Sequence, residues 1–326
     1  MKRSFAVGLA LLATCVTVAV VALGTGDYPI SPTGVVRSLV GQGNPATEYI
    51  VLDLRLPRVL TALAVGAAFG ASGAIFQSLT RNPLGSPDVI GFTAGASVGA
   101  LIMIILVGGG LLEIASGAVL GGAAAAAAVY LLAYRRGSQG YRLVIIGVAV
   151  QALLTAVTTY LLARANIFDS QRAALWIMGS LNARGWAHAA VASATLAALL
   201  PVVLALHRRT LVLEMGDETA RSLGVSVERV RLALIATAVA LAAVGTTCAG
   251  PIAFVALAAP QLARRLTRAT GPNPLPSAAM GAALLLASDL VAQRALAPTQ
   301  LPVGVVTAAL GGLYLIWLLG WRRTAA

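Results

Sequence analysis

The densest set of reactive side chains lies in residues 214–231, EMGDETARSLGVSVERVR. Four carboxylates (Glu214, Asp217, Glu218, Glu228) and three arginines (Arg221, Arg229, Arg231) stand together there, in a chain that is only 10% charged. Opposite charges at this spacing make ion pairs and charge-assisted hydrogen bonds. Gly224 divides the segment into two short helical pieces, about 217–223 and 226–231. A polar helix–Gly–helix in such a chain suits a docking surface. Its candidate contact residues are Gly216, Asp217, Glu218, Arg221, Leu223, Gly224 and Val225.

Other residues invite chemistry more weakly. Arg55 and Arg58 flank Leu56-Pro57 ahead of an apolar run, and Arg294 follows another. They read either as side chains snorkelling to a membrane edge or as fixed cations offered to an acidic partner, for which bidentate guanidinium suits carboxylate. Asp289 lies among Leu and Ala. A carboxylate inside a membrane span is a functional candidate, as an ion or proton site, and equally a structural acceptor. Gln77, Gln151 and Gln261 suit hydrogen bonds between helices or the lining of a pathway. Ser138, Gln139 and Tyr141 form a tight connection that could gate one.

Several chemistries are absent. No GxxxxGK[ST] phosphate loop occurs, and no Ser/His/Asp set, HExxH or carboxylate pair suggests an enzyme. His188, His207, Cys15 and Cys248 have no metal-ligand spacing, and both cysteines read as buried thiols. The net charge of +12 does not imply nucleic acid, because no basic face with interleaved aromatics exists.

The elements that must position these residues are membrane spans. The chain is 59% hydrophobic with mean hydropathy +0.88, whereas soluble domains carry about 25% charged residues. Apolar runs of spanning length predict about ten transmembrane helices, near 4–24, 59–80, 89–107, 114–134, 143–163, 185–206, 232–249, 251–266, 275–293 and 302–321. The first reads as an uncleaved helix, being longer than a signal-peptide core. Ser31-Pro32 starts a helix in the polar link after it. Gly66, Gly70 and Gly73, and then Gly91, Gly95 and Gly99, form small-residue stripes that let helices approach closely. Pro251 is placed to open span 8. Trp176, Trp186, Trp317 and Trp321 sit near span ends as interface anchors.

Ten spans put both termini on one side. Lys2-Arg3, Arg81, Arg135-Arg136, Arg208-Arg209, Arg264-Arg265-Arg268 and Arg322-Arg323 all fall on that side, which makes it cytoplasmic. Residues 214–231 are then cytoplasmic, and Arg55, Arg58 and Arg294 face outward. Spans 2–5 and 7–10 form two groups that enter from opposite sides, the pattern of inverted repeats. The whole chain, 1–326, reads as one transmembrane domain, all-α and polytopic.

Five stretches carry a resemblance: RLPRVL (55–60), SGAIFQSLTRNPLGSPDVIGF (72–92), LEMGDETARSLGVSVER (213–229), GPIAFVALAAPQLARRL (250–266) and LPVGVVTAALGGLYLIWLL (301–319). They resemble the FecCD/BtuC-type permeases of ABC importers, which move iron–siderophores, haem or cobalamin. Within that family the wording is similar to permeases for ferric enterobactin.

The resemblance implies a BtuC-like type II importer permease in a bacterial inner membrane. Its partners would be a cytoplasmic ATPase dimer, a second and paralogous permease, and an extracytoplasmic binding protein. The helix pair at 217–231 would enter a groove of the ATPase, and Arg55 and Arg58 would receive glutamates of the binding protein. The chain itself would bind no cofactor; ATP and Mg belong to the ATPase. A third arginine, spaced Asp-x-x-x-Arg in the cobalamin permease, falls on Gln293 here, with Arg294 one later. The alternatives are haem or cobalamin as cargo, or an ion-coupled carrier built on Asp289.

Overall fold

The computed structural model describes residues 2–133 and 140–322, whose regular elements are all helices, with no strand among them. Helix α1 is Lys2–Gly24, α2 Pro32–Leu39 and α3 Pro45–Glu48. Helix α4 is Leu56–Thr80, α5 Phe92–Ile102, α6 Leu111–Ala133, α7 Gly140–Arg164 and α8 Ile167–Ile177. The second half holds α9 (Trp186–Glu214), α10 (Asp217–Ser222), α11 (Val227–Ala249), α12 (Val255–Thr267), α13 (Pro274–Arg294) and α14 (Val303–Arg322). Ser31 caps α2 by accepting from the Gly34 amide, with Pro32 in the first turn.

Each of the ten expected spans has a helix at its place. Seven are long and apolar enough to cross a membrane. Phe92–Val107 and Val303–Tyr314 are shorter apolar stretches, and α12 has only 13 residues. At about 1.5 Å per residue, α12 reaches about 20 Å, less than the ~30 Å apolar thickness. In both halves a long helix (α4, α11) leads through an irregular link to a short one (α5, α12), then to two more.

Several boundaries differ from the sequence expectation. The polar link before span 2 is not a loop up to Arg58. Residues 49–55 form a π-helical segment continuous with α4, so Arg55 and Arg58 both stand on helix. Span 6 runs eight residues past its expected end, from Leu206 to Glu214. Arg208 and Arg209 end the membrane-compatible stretch, but nothing breaks the helix before Gly216, whose φ is +115°. The expected helix pair at 217–231 is one short helix plus the first turn of α11. Span 8 does not begin at Pro251, because Gly250 (φ +76°) and Phe254 (φ +69°) both have positive φ, which keeps the link between them out of the helix. Gly91 (φ +74°) closes the link before α5 and is not part of that helix's packing face.

Helix α4 is the centre of the bundle. Its most apolar window is 89% buried, against 11% for α7 and 17% for α9, which leaves the last two facing outward. The α4–α13 crossing rests on glycine. A Cβ on Gly66 would lie 2.4 Å from the Gly281 carbonyl oxygen, and one on Gly70 would lie 2.1 Å from that of Ser277. Gly73 meets α12, and Gly95 and Gly99 meet α6 at Gly121 and Gly117. In lipid, where hydrocarbon competes equally for apolar side chains, such close backbone approach is what holds helices together.

Candidate functional site

Two ionic clusters occupy opposite ends of α4. The first gathers around α10. The Arg231 guanidinium donates to both Asp217 oxygens, at 3.0 and 2.9 Å, and to Glu228 Oε1 at 2.9 Å. Arg81, just past the end of α4, donates to Asp217 Oδ1 at 3.0 Å and to the Leu213 carbonyl at 2.8 Å. Asp217 therefore ties α10 to α11 and to α4. Burial acts to raise its carboxyl pKa, but the hydrogen bonds and charge of Arg231, with Arg81 and Arg221, outweigh it and hold the group below its ordinary value. Ala220, on the inner face of α10, is wholly buried.

The sequence expected Asp217 as a contact residue, but the structure engages it within the chain. The surface α10 presents is instead Glu218, Arg221, Leu223 and Gly224, all exposed, with Val225 half-buried. Leu223 is 60% exposed. Gly216 and Gly224, at φ +115° and +78°, let the chain turn sharply into and out of the helix. Arg3 bonds the Leu266 carbonyl at the end of α12. Arg3, Arg81, Arg264 and Arg265 thus gather at the α10 end.

The second cluster sits at the other end of α4. Arg58 donates from Nε and Nη2 to the two Asp289 oxygens at 2.9 and 2.8 Å, and from Nη1 to Gln300 at 3.0 Å. Gln293 donates to Asp289 at 2.8 Å. The side chains of Arg58 and Asp289 are 13% and 2% exposed. The sequence offered Arg58 as a cation for a partner; in the folded chain its guanidinium is engaged with α13. Asp289, the one acid well inside a predicted span, is the counter-ion it needed. Arg55 is half-buried and donates to the Leu23 and Tyr28 carbonyls. Arg294 stands near enough for its charge to act on Arg55.

Gln77 is 2% exposed and bridges helices. It donates to the Leu257 carbonyl and accepts from Gln261, joining α4 to α12. It borders a 210 Å³ cavity at the α10 end with Arg81, Glu214 and Arg264. Ser138 and Gln139 lie outside the described residues, as does the Tyr141 side chain. Cys15 and Cys248 are buried free thiols.

Sequence reasoning missed a larger cavity of 470 Å³. Ser86, Asp88, Thr93, Ala94 and Ser97 line it from the α4–α5 link and α5, Gln151 and Thr155 from α7, Ile177 from α8, and Pro251, Ala253, Phe254 and Leu257 from the α11–α12 link and the start of α12. Both irregular links of the two halves therefore meet at one cavity. The polar positions recur at i and i+4 on α5 (Thr93, Ser97) and on α7 (Gln151, Thr155), a stripe visible in the sequence once the helices are placed. Phe254 holds a left-handed conformation that costs a bulky residue of order 1–3 kcal/mol. Its ring packs against Gly311 of α14, where a Cβ would lie 2.2 Å from Cγ. The Ser180 amide donates to the Ala249 carbonyl, and the Gly304 amide to Gly179, so the end of α8 is stitched to α11 and α14.

This arrangement of helices matches known proteins. Residues 12–321 match the FecCD transport family. The chain belongs to the FecCD transport family. The ferric enterobactin transport system permease protein FepG of Escherichia coli (strain K12) is 46% identical over 98% of this chain and 96% of its own. The achromobactin transport system permease protein CbrC of Dickeya dadantii (strain 3937) is 37% identical over 97% of this chain and 91% of its own. A solved structure described as an inward-facing conformation of a metal-chelate type ABC transporter superposes with TM-score 0.85, at 29% identity over 96% of this chain and 98% of that one. As a FecCD-family permease, the chain is a membrane transport component and not an enzyme.

Proposed function

We propose that this FecCD-family chain is the membrane-spanning subunit of an ATP-driven importer that carries a ferric siderophore of the anionic catecholate kind into the cytoplasm. The observation that carries the reading is the 46% identity to FepG across nearly the whole of both chains. The ferric citrate relative of Bacillus subtilis (strain 168), YfmE, is 35% identical over 98% of this chain. The shared class is an iron chelate, and the catecholate is the finer inference.

The geometry supports a division of labour. The arginine-rich α10 end is the cytoplasmic one, by the bias of Lys and Arg to that side, and both termini lie there. An ATPase dimer docks on Glu218, Arg221, Leu223 and Gly224. Its movement reaches α4 and α11 through Asp217, Arg231 and Arg81. Helix α11 leads directly to the link that lines the 470 Å³ cavity. Packed helices answer such a displacement by switching between arrangements instead of deforming smoothly. A second, paralogous permease faces the exposed α7, and the cavity is this chain's share of the pathway between them. At the opposite end, Arg55 and Arg294 meet the acidic side chains of a binding protein, with Arg58 holding α4 to α13 beneath them.

The test is uptake into proteoliposomes containing the chain with its co-encoded permease, ATPase and binding protein. A panel of ferric catecholate, hydroxamate and citrate chelates is offered in competition. The proposal expects the catecholate to be preferred; equal uptake of all three, or preference for citrate, would overturn the catecholate assignment.

A further inference from the structure

Two pieces of the chain wall both cavities. Helix α12 lines the 210 Å³ cavity with Gln261 and Arg264, and the 470 Å³ cavity with Phe254 and Leu257. The link between α4 and α5 lines the first with Asn82 and Pro83, and the second with Ser86 and Asp88. Residues of positive φ bound each piece: Phe254 (+69°) and Arg268 (+54°) around α12, Arg81 (+48°) and Gly91 (+74°) around the link. Hinge motion is absorbed at element-terminal residues of this kind. Two hinged pieces thus reach from the α10 end to the larger cavity.

One amide pair fastens them together. The Gln261 side-chain amide has two N–H donors and uses both, one to Gln77 Oε1 at 2.6 Å and one to the Pro83 carbonyl at 3.2 Å. Gln77, 2% exposed, accepts that bond and donates in turn to the Leu257 carbonyl at 3.0 Å. Leu257 stands one turn before Gln261 on α12, so the two bonds close a bracket between α4 and α12. One turn back on α4, a Cβ on Gly73 would lie 1.7 Å from the Ala256 carbonyl oxygen. Pro260, inside α12, has no N–H to offer that carbonyl, which leaves it open to this approach. Pro83 is two residues from Arg81, which bonds Asp217 and the Leu213 carbonyl. Contacts therefore run unbroken from α10 through Arg81 and Pro83 to Gln261, and along α12 to the larger cavity.

We propose that Gln261 and Gln77 are positioning residues that make α12 and the 81–91 link move as one body, so that a displacement of α10 reaches the 470 Å³ cavity through them. Resting on the importer reading, this joint adds a route beside the one through α11. Hydrogen bonds between helices in lipid add little stability, because the separated helices also find partners. The amides instead set the register of α12 on α4 and tie the Pro83 turn to it. Apolar contacts alone would let either piece shift without the other.

The experiment has two arms. In the first, the full chain in lipid nanodiscs carries Cys15→Ser and Cys248→Ser, with spin labels at Leu84→Cys in the link and Leu266→Cys on α12, both exposed positions. Dipolar electron spin resonance reads the distance between them. The parent chain should give one narrow distribution and Gln261→Leu a broadened one. In the second, the assembled complex in proteoliposomes is assayed for ATP hydrolysed per chelate imported. Gln261→Leu should raise that ratio at least about fivefold, the lower end of ordinary coupling between sites, with ATPase rate and melting temperature near wild type. Gln77→Leu leaves the Gln261–Pro83 bond in place; it should act less strongly and stands in if Gln261→Leu does not fold. The double variant should be no worse than Gln261→Leu, because the pair is one joint. An unchanged distribution, an unchanged ratio, additive losses, or ATPase rate, uptake and melting temperature falling together would overturn the proposal. Wild type that imports without ATP would overturn the importer reading instead, while the distance arm, which needs no transport, still decides whether the two pieces are fastened.

Discussion

Replacing Arg58 with Met should be among the most damaging single changes available in α4. Arg58 is 13% exposed and Asp289 2% exposed, with both guanidinium–carboxylate contacts at or below 2.9 Å. Removing the arginine leaves Asp289 with Gln293 alone, as a nearly buried and uncompensated carboxylate. Breaking a buried pair in this way costs about 3–5 kcal/mol, whereas replacing both members by apolar groups of similar volume is often neutral. Asp289→Leu in the Arg58→Met background should therefore recover much of the loss, giving a coupling energy of about 2–4 kcal/mol. The assay is reversible unfolding in mixed micelles, titrated with denaturing detergent, on the wild type, both single variants and the double. Single-variant losses below about 1 kcal/mol, the size of an exposed pair, or strictly additive losses, would refute the reasoning. Arg58→Glu sets two carboxylates against each other inside the fold, so its effect would report the Arg58–Asp289 pairing and not docking of a binding protein.

Three further outcomes follow. Leu223→Asp should abolish co-purification of the ATPase while leaving the permease monodisperse, because Leu223 is 60% exposed and supports nothing beneath it; retained ATPase would place docking elsewhere. Asp217 is held low in the folded chain, so its ion pairs stabilise above its unfolded pKa of about 3.9 and are lost as pH falls through the lower folded value. Below about pH 4 wild type should lose a small increment that Asp217→Asn lacks; it should be small because the side chain is 32% exposed, and identical acid profiles would contradict the pairing. Gly281→Val should separate α4 from α13 at a cost of about 1–3 kcal/mol or more, read as a lower melting temperature and yield, since even a Cβ there would lie 2.1 Å from the Gly66 carbonyl oxygen; an unchanged melt would show that the crossing is not close-packed.

The parts legible in the sequence were those set by solvent. Apolar length located a helix at every expected span, because the bilayer leaves the backbone no other way to satisfy itself. The glycine rows at Gly66, Gly70, Gly95 and Gly99 announced close crossings for the same reason. What the sequence hid was pairing across distance. Arg58 and Asp289 lie 231 residues apart, and each alone looked like an anomaly with a functional reading. Asp217 lay amid exposed charges and nothing local distinguished it from Glu218; only the arrival of Arg81 from α4 and Arg231 from α11 did. The cavity escaped notice because its walls come from two links and four helices. Helix ends were misjudged where charge was taken as a stop: α9 passes Arg208 and Arg209 without breaking, since charge ends a membrane span but only backbone geometry ends a helix.

The most direct measurement of the central claim is uptake of the ferric chelate into proteoliposomes holding the assembled complex, with a proton gradient imposed or collapsed and ATP supplied or withheld at the α10 face. The account predicts uptake that requires ATP and is indifferent to a proton gradient; uptake that continues without ATP and follows the gradient would contradict it.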